Sequence, residues 1–195
     1  MFYGLARMLI SAIILILSFI LKNKFTKRKI LFGFLCLVIV IAMLWVTPLE
    51  NLFVSFYSPQ AVFEYAGQGE IVDIIEGSES AALITKKKEG VFSTYFVMKQ
   101  ENKYKIAPVN AATKISTQYY DSVALYIYHV RETDDYYLRI WGTVSKEMEL
   151  SDTENTDFSI IYESFSNKQM INVLEKIDFS AEYHCFINGN EITFD

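Results

Sequence analysis

Two apolar runs of 17 residues open the chain, residues 5–21 (LARMLISAIILILSFIL) and 30–46 (ILFGFLCLVIVIAMLWV), separated by the eight residues KNKFTKRK. At about 1.5 Å of rise per residue each run gives a helix of roughly 25 Å, near the short end for crossing a hydrocarbon core. The second run has twelve Leu, Ile, Val or Phe residues and no charge. At about −0.3 to −0.6 kcal/mol each, those side chains favour insertion by roughly 4–7 kcal/mol. The first run carries one charge, Arg7, close enough to its end to snorkel. Helices apolar on every face fit a soluble core poorly, because the rest of the chain is too small to wrap both. A cleaved signal peptide fits less well, since no small-x-small pattern follows and residues 18–24 read SFILKNK. The runs predict a transmembrane hairpin with helices at about 5–21 and 30–46.

Charge then divides the chain. Residues 1–46 hold six Lys or Arg and no acid, whereas residues 47–195 hold all 23 acids and the other 12 basic residues, so the pieces stand at +6 and 12 − 23 = −11. That asymmetry points to a membrane-inserted part and a solvated part. A body at −11 repels phosphate backbones, which argues against a nucleic-acid partner. Five of the positive charges lie in the link 22–29, and the positive-inside rule puts that link in the cytoplasm. Both termini and the remaining chain would then be extracytoplasmic, with Phe2, Tyr3 and Trp45 at one interface. Gly4, Gly33 and Ala42 could let the helices approach closely, and no buried acid or His suggests ion transport. The expected organisation is a two-helix cell-membrane anchor over 1–46, a linker over 47–57, and an extracytoplasmic β-rich domain over 58–195.

Ser58-Pro59 reads as a helix start, Ser capping and Pro in the first turn, with Gly67 or Gly69 ending a short helix. From Glu70 onward Val, Ile, Tyr, Phe and Thr dominate. Strands are expected near 70–76, 81–86, 91–99 and 103–107, then, after a connection, near 122–130, 136–143, 157–165, 171–176, 183–187 and 191–194. Residues 171–176 fit a helical period almost as well as a strand. Residues 87–90 (KKEG), 132–135 (ETDD) and Asn188-Gly189 supply turns, the last a strong two-residue hairpin signal. Residues 122–130 are partly apolar on both faces, as in a sheet that is covered on each side or strongly curved. The fold class is α+β, a membrane hairpin followed by a mostly antiparallel β domain with one short helix. Ser80-Ala81-Ala82-Leu83 and Ser122-Val123-Ala124-Leu125 repeat at a spacing of 42, as do Tyr95-Phe96 and Tyr137-Leu138, which either two similar hairpins or convergence would produce.

Chemistry-bearing residues are sparse. His129 and His184 each sit inside a strand pattern, and Cys185 points to the face opposite His184, so ordinary sheet residues are favoured over a metal site. No nucleophile signature surrounds any Ser or Cys185, which reads as a buried structural thiol, and Cys36 in its apolar run cannot pair with it. The acids of 152–157 (DTENTD) resemble a calcium loop but lack its Gly and closing Glu, so a solvated loop is the plainer reading. No cofactor, metal ligand or catalytic residue is expected. Aromatic residues are the main functional signal. Tyr126, Tyr128, Tyr137 and Trp141 could form a platform for a cell-wall component or another membrane protein, or they could simply pack across strands.

Residues 58–106, with the Ser-Pro helix start, a polar strand and a hairpin ending in Tyr-Lys-Ile, resemble exported domains of uncharacterised small membrane proteins of Gram-positive bacteria. The resemblance implies a bacterial source and the topology above, and carries no activity. The expected function is a non-enzymatic, membrane-tethered binding module whose partners are the lipid bilayer and a membrane protein or wall component. The alternatives are an envelope hydrolase using Glu147, Glu149, Asp152 and Asp157, or a stress or immunity protein acting in the bilayer.

Overall fold

The computed structural model describes residues 7–8, 10–16, 27–46, 48–88, 90–165, 167–180 and 182–194. Residues 7–8 and 10–16 are helical. Helix α1 runs Lys27–Val46, with side chains described for residues 33–42. Spanning a bilayer takes about 20 consecutive apolar residues. Among the described residues no helix is long and apolar enough to cross a membrane. This corrects the expected transmembrane hairpin, and with it the anchor in the fold class and the multi-pass location with both termini extracytoplasmic. Among the described residues the first run is helical only at 7–8 and 10–16, fewer residues than a span takes, and α1 opens on the charges of Lys27, Arg28 and Lys29. Residues 22–26 of the basic link lie outside the described residues, as do Phe2, Tyr3, Gly4, Glu89 and the side chain of Trp45.

What the structure establishes is a mostly antiparallel β body. Its twelve strands, among the described residues, form three sheets. The first has the order β1 (Glu70–Glu76), β2 (Ser80–Lys88), β3 (Val91–Gln100), β4 (Lys103–Ile106). The central sheet comprises β5 (Ala112–Tyr120), β6 (Val123–Val130), β7 (Tyr136–Val144), β10 (Lys168–Ile177) and β9 (Ile161–Phe165), in that order. The third has β11 (His184–Ile187) between β12 (Asn190–Thr193) and β8 (Leu150–Asp152). Antiparallel order follows from short connections, since two-residue turns cannot join parallel strands.

Three apolar layers hold these sheets together. Helix α2 (Pro59–Ala66) lays Val62 and Phe63 on Ala81, Leu83 and Val97 of the first sheet. Opposite-facing residues of the same strands, Ala82 and Ile84, pack on Val130, Tyr137 and Leu174 of the central sheet. On its far side the central sheet buries Leu125, Ile127, Leu138 and Ile140 against Cys185 and Ile187 of the third. Each such Leu or Ile contributes about 1.5–3 kcal/mol when taken fully out of water. A central sheet covered on both faces accounts for strands that read as apolar on both sides.

Local chemistry explains the edges. Ser58 Oγ accepts from Ala61 N at 3.1 Å and Pro59 begins α2, while Gly67 N donates to Phe63 O at 2.6 Å to close it. Residues 48–56, read from sequence as linker, are docked on the first sheet. The Asn51 side chain takes the place of a neighbouring strand, its Nδ2 donating to Ile106 O (2.8 Å) and its Oδ1 accepting from Ile106 N (2.9 Å). Arg7 forms a two-pronged ion pair with Glu50, Nε to Oε1 at 3.1 Å and Nη2 to Oε2 at 2.9 Å. Burial alone would raise the Glu50 carboxyl, but the Arg7 hydrogen bond, a backbone hydrogen bond and the Arg7 charge together outweigh it and leave the pKa below its ordinary value.

The structure decides one open reading and adds two strands. Residues 171–176 are strand, as part of β10, because the segment fills the gap between β7 and β9. The connection before residue 122 contains β5, and the acidic region contains β8. Both carry polar, exposed positions typical of edge strands, which the composition rule underweights. The repeat at spacing 42 has no counterpart in pairing. Leu83 faces Tyr95, but Leu125 faces Ile140 rather than Tyr137.

Candidate functional site

Strand pairing decides which aromatic side chains share a face. In the β6–β7 ladder Tyr128 lies opposite Tyr137, Tyr126 opposite Arg139, and Ala124 opposite Trp141. Directly opposed residues of an antiparallel pair project to the same side. Tyr126, Tyr128, Tyr137 and Trp141 therefore share one face of the central sheet, and Arg139 stands among them.

The first sheet covers only part of that face. Tyr137 is 0% exposed, with its hydroxyl 3.0 Å from Ser80 Oγ and its ring 5.8 Å from that of Phe96. Tyr128 is half-buried against Phe96 at 5.4 Å, and burial pushes its phenol pKa up, reinforced by Tyr126 and opposed by Arg139. These two residues belong to the interlayer core. Beyond the cover, Trp141 keeps 38% of its surface exposed and Tyr126 is half-buried. Tyr119, opposite Ala124 in the β5–β6 ladder, joins them at 71% exposure. Lys114, from the same strand β5, places its ammonium 4.2 Å from the centre of the Tyr126 ring, within cation–π range.

Beneath these side chains lies Arg139, 4% exposed. Its Nη1 donates to Val173 O at 2.9 Å and to Ile140 O at 3.4 Å, and its Nη2 donates to Asn172 Oδ1 at 2.7 Å. Burial lowers its pKa to about 10, with the Tyr128 and Tyr126 phenols acting in the opposite sense, so it is a cation at neutral pH. Asn172, fully buried, lies opposite Trp141 on the β10 side. The face thus offers rings for stacking and cationic donors for an acceptor oxygen. Sequence reading found the four aromatics but missed Lys114, Arg139 and Asn172. The available signal was an Arg within the strand pattern Tyr137-Leu138-Arg139-Ile140-Trp141, where a lone charge on a two-sided apolar strand needs a reason.

The remaining candidates have ordinary roles. His129 stacks on Tyr136 (4.6 Å between ring centres, 18° between planes) and its Nε2 is 2.9 Å from Thr133 O. His184 pairs with Glu191 across β11–β12. Burial pushes the Cys185 thiol up to about 12, with Asp152 adding to it. Asp152 Oδ1 accepts from Glu154 N and Thr156 N, and Oδ2 from Thr156 Oγ1 and Tyr183 OH, so its carboxylate organises the acidic loop. Glu147, Glu149 and Asp157 are exposed. Among the described residues no group of three or more His, Cys, Asp or Glu could hold a metal ion. An open cleft of about 1380 Å³ lies where the β5–β6, β9–β10 and β11–β12 turns converge, lined by Asp121, Lys146, Lys168, Asn188 and neighbouring serines. No family model, curated protein or solved structure matches the chain.

Proposed function

We propose that the β-rich body is a non-catalytic binding module and that its ligand sits on the uncovered face around Tyr119, Tyr126 and Trp141. The observation that supports this reading is the partition of the aromatics. Tyr128 and Tyr137 pack beneath the first sheet, whereas Trp141 and Tyr119 remain in water above a buried cation. Removing an indole from water is worth a large share of any interface energy, and aromatic side chains with a cationic neighbour recur as binding anchors. The partner is the wall component or protein expected from the aromatic strands. Phenols and cationic donors carry the chemistry of the face, which suits recognition better than proton abstraction.

The test places a photocrosslinking amino acid at position 141 in the full-length chain expressed in its own cells, with an exposed control at Val109 on another surface. A discrete adduct from 141 that is absent from 109, and that is lost when Tyr126 is replaced by Ala, is expected. Adducts of equal yield from both positions would refute the reading.

A further inference from the structure

We infer that Arg139 and Asn172 form the floor of an oxyanion subsite beneath this face, so that its ligand presents a single carboxylate or phosphate-type group. The inference rests on the binding face proposed above and names the chemistry that it recognises.

A charge taken out of water needs a partner, because its lost hydration is otherwise uncompensated. The ion pairs among the described residues join Arg7 to Glu50, Lys86 to Glu163, Lys176 to Asp135 and His184 to Glu191. Arg139 is in none of them. A guanidinium has five N–H donors. The bonds that Arg139 makes go to two carbonyls and one amide oxygen, all neutral.

A donor beside it is unmet. Asn172 spends its Oδ1 on Arg139, and its Nδ2, buried, has no acceptor. A buried N–H left without an acceptor keeps its full desolvation penalty. Two neighbouring side chains therefore offer donors, one of them on a cation, and the acceptor that satisfies both is an anionic oxygen. A planar carboxylate matches the fork of a guanidinium, and phosphate oxygens do so as well. Lys114 adds a second cation over the Tyr126 ring, and Tyr126 and Trp141 stand beside Arg139 on the same face of the sheet. Water could fill the hydrogen bonds, but it would leave the charge uncompensated.

The surrounding field limits the ligand further. Residues 47–195 carry 12 − 23 = −11, which repels a polyanion at long range. A ligand with one acidic group meets the local cations and little of that repulsion. An acidic sugar suits both parts of the face, its ring on Trp141 and its acid on Arg139.

The experiment titrates the full-length chain, with Trp45→Phe so that Trp141 is the emitting indole, at constant ionic strength with acetate, inorganic phosphate, glucuronate and neutral glucose, reading tryptophan emission and the Arg139 Nε–H NMR signal. Asn172→Asp and Arg139→Met are compared with the unmodified chain. Saturable binding of acetate and glucuronate is expected, with the Arg139 signal moving. Asn172→Asp supplies an internal carboxylate, so it should raise the melting temperature and weaken binding at least about tenfold, as loss of a charge-assisted pair requires. Arg139→Met should lose binding as well. Should that variant fail to fold, the aspartate variant decides. Phosphate binding without acetate binding assigns the ligand to the phosphorylated class. If glucose or a wall preparation perturbs Trp141 while no oxyanion does, the binding face stands and the subsite fails. If nothing perturbs it, both fail. Unchanged affinity in Asn172→Asp, or an Arg139 signal that responds to water exchange but to none of the anions, overturns the subsite.

Discussion

Replacing Asp135 with asparagine perturbs one fully buried carboxylate that ties the first sheet to the central one. Asp135 stands in the β6–β7 turn, and its oxygens accept from Ser78 N (3.0 Å), Ser78 Oγ (3.1 Å), Glu79 N (2.9 Å) and Ser80 Oγ (2.7 Å), all in the β1–β2 turn or at the start of β2. Lys176 Nζ lies 3.9 Å away. Gly77 makes room for this contact, since a Cβ there would stand 2.4 Å from Asp135 Oδ2. An asparagine keeps one oxygen for the two Ser78 donors. Its NH2 group would face Glu79 N and Ser80 Oγ; the serine hydroxyl can turn to accept, but the Glu79 N–H cannot. One hydrogen bond to a charged acceptor is lost outright and the others lose their charge assistance, which at about 1.5–3 kcal/mol per charged bond gives a net cost of about 2–4 kcal/mol. That is a large part of a typical stability of about 5–15 kcal/mol. Urea unfolding followed by circular dichroism should show a lower midpoint with an unchanged slope.

The same carboxylate predicts a pH dependence. Burial alone would raise its pKa, but the hydrogen bonds from Ser80, Glu79 and Ser78 outweigh burial and leave it below the ordinary value. A group with a depressed folded pKa stabilises above its unfolded value, about 3.9 for Asp, and that contribution is lost as pH falls through the folded value. The parent chain should therefore lose stability below about pH 4, and Asp135→Asn should show a shallower acid limb. A variant whose midpoint at neutral pH matches the parent, with the same acid limb, would refute this account of how the sheets are joined.

Gly142→Ala in β7 would put a Cβ 2.3 Å from Ser122 O and 2.6 Å from Val123 Cα, where neither backbone atom can yield cheaply. A loss of about 1–3 kcal/mol by denaturant midpoint is expected, as for overpacking elsewhere, and a neutral result would count against the β6–β7 contact as described. The Cys185 thiol, fully buried and raised to about 12, should resist an aromatic disulfide reagent in the folded chain at mild alkaline pH. It should react in urea at the unfolding transition, and rapid native labelling in a Cys36→Ser background, which removes the exposed second thiol, would contradict its burial.

Much of the β body is legible in the residues themselves, because strand and turn signals are local. The Ser58 cap with Pro59, the alternating runs and the Asn188-Gly189 turn depend on backbone preferences that act over a few positions. At that turn Asn188 and Gly189 take φ of 51° and 76°, which Asn and Gly adopt at least cost, and Ile187 pairs with Asn190. Edge strands β5 and β8 escape the same reading because a strand covered on one side or less has little apolar pattern to show. The apolar runs near the N-terminus illustrate the limit from the other side. Hydropathy reports how strongly each residue prefers to leave water, but not how much of a run such as 5–21, described as helical at 7–8 and 10–16, makes one helix.

Which aromatic side chains stay accessible depends on what packs over them, and that is a matter of tertiary structure. Tyr137, Arg139 and Trp141 alternate along one strand and face one way, so no local rule separates them. The edge of the first sheet does. It closes over Tyr137, leaves Trp141 in water, and strands Arg139 between the two without an acid. The sequence by itself determined that this strand has an aromatic face. Which part of that face is core and which is surface was set by where a sheet formed from distant residues comes to rest, because burial is a property of the layer on top and not of the residue beneath.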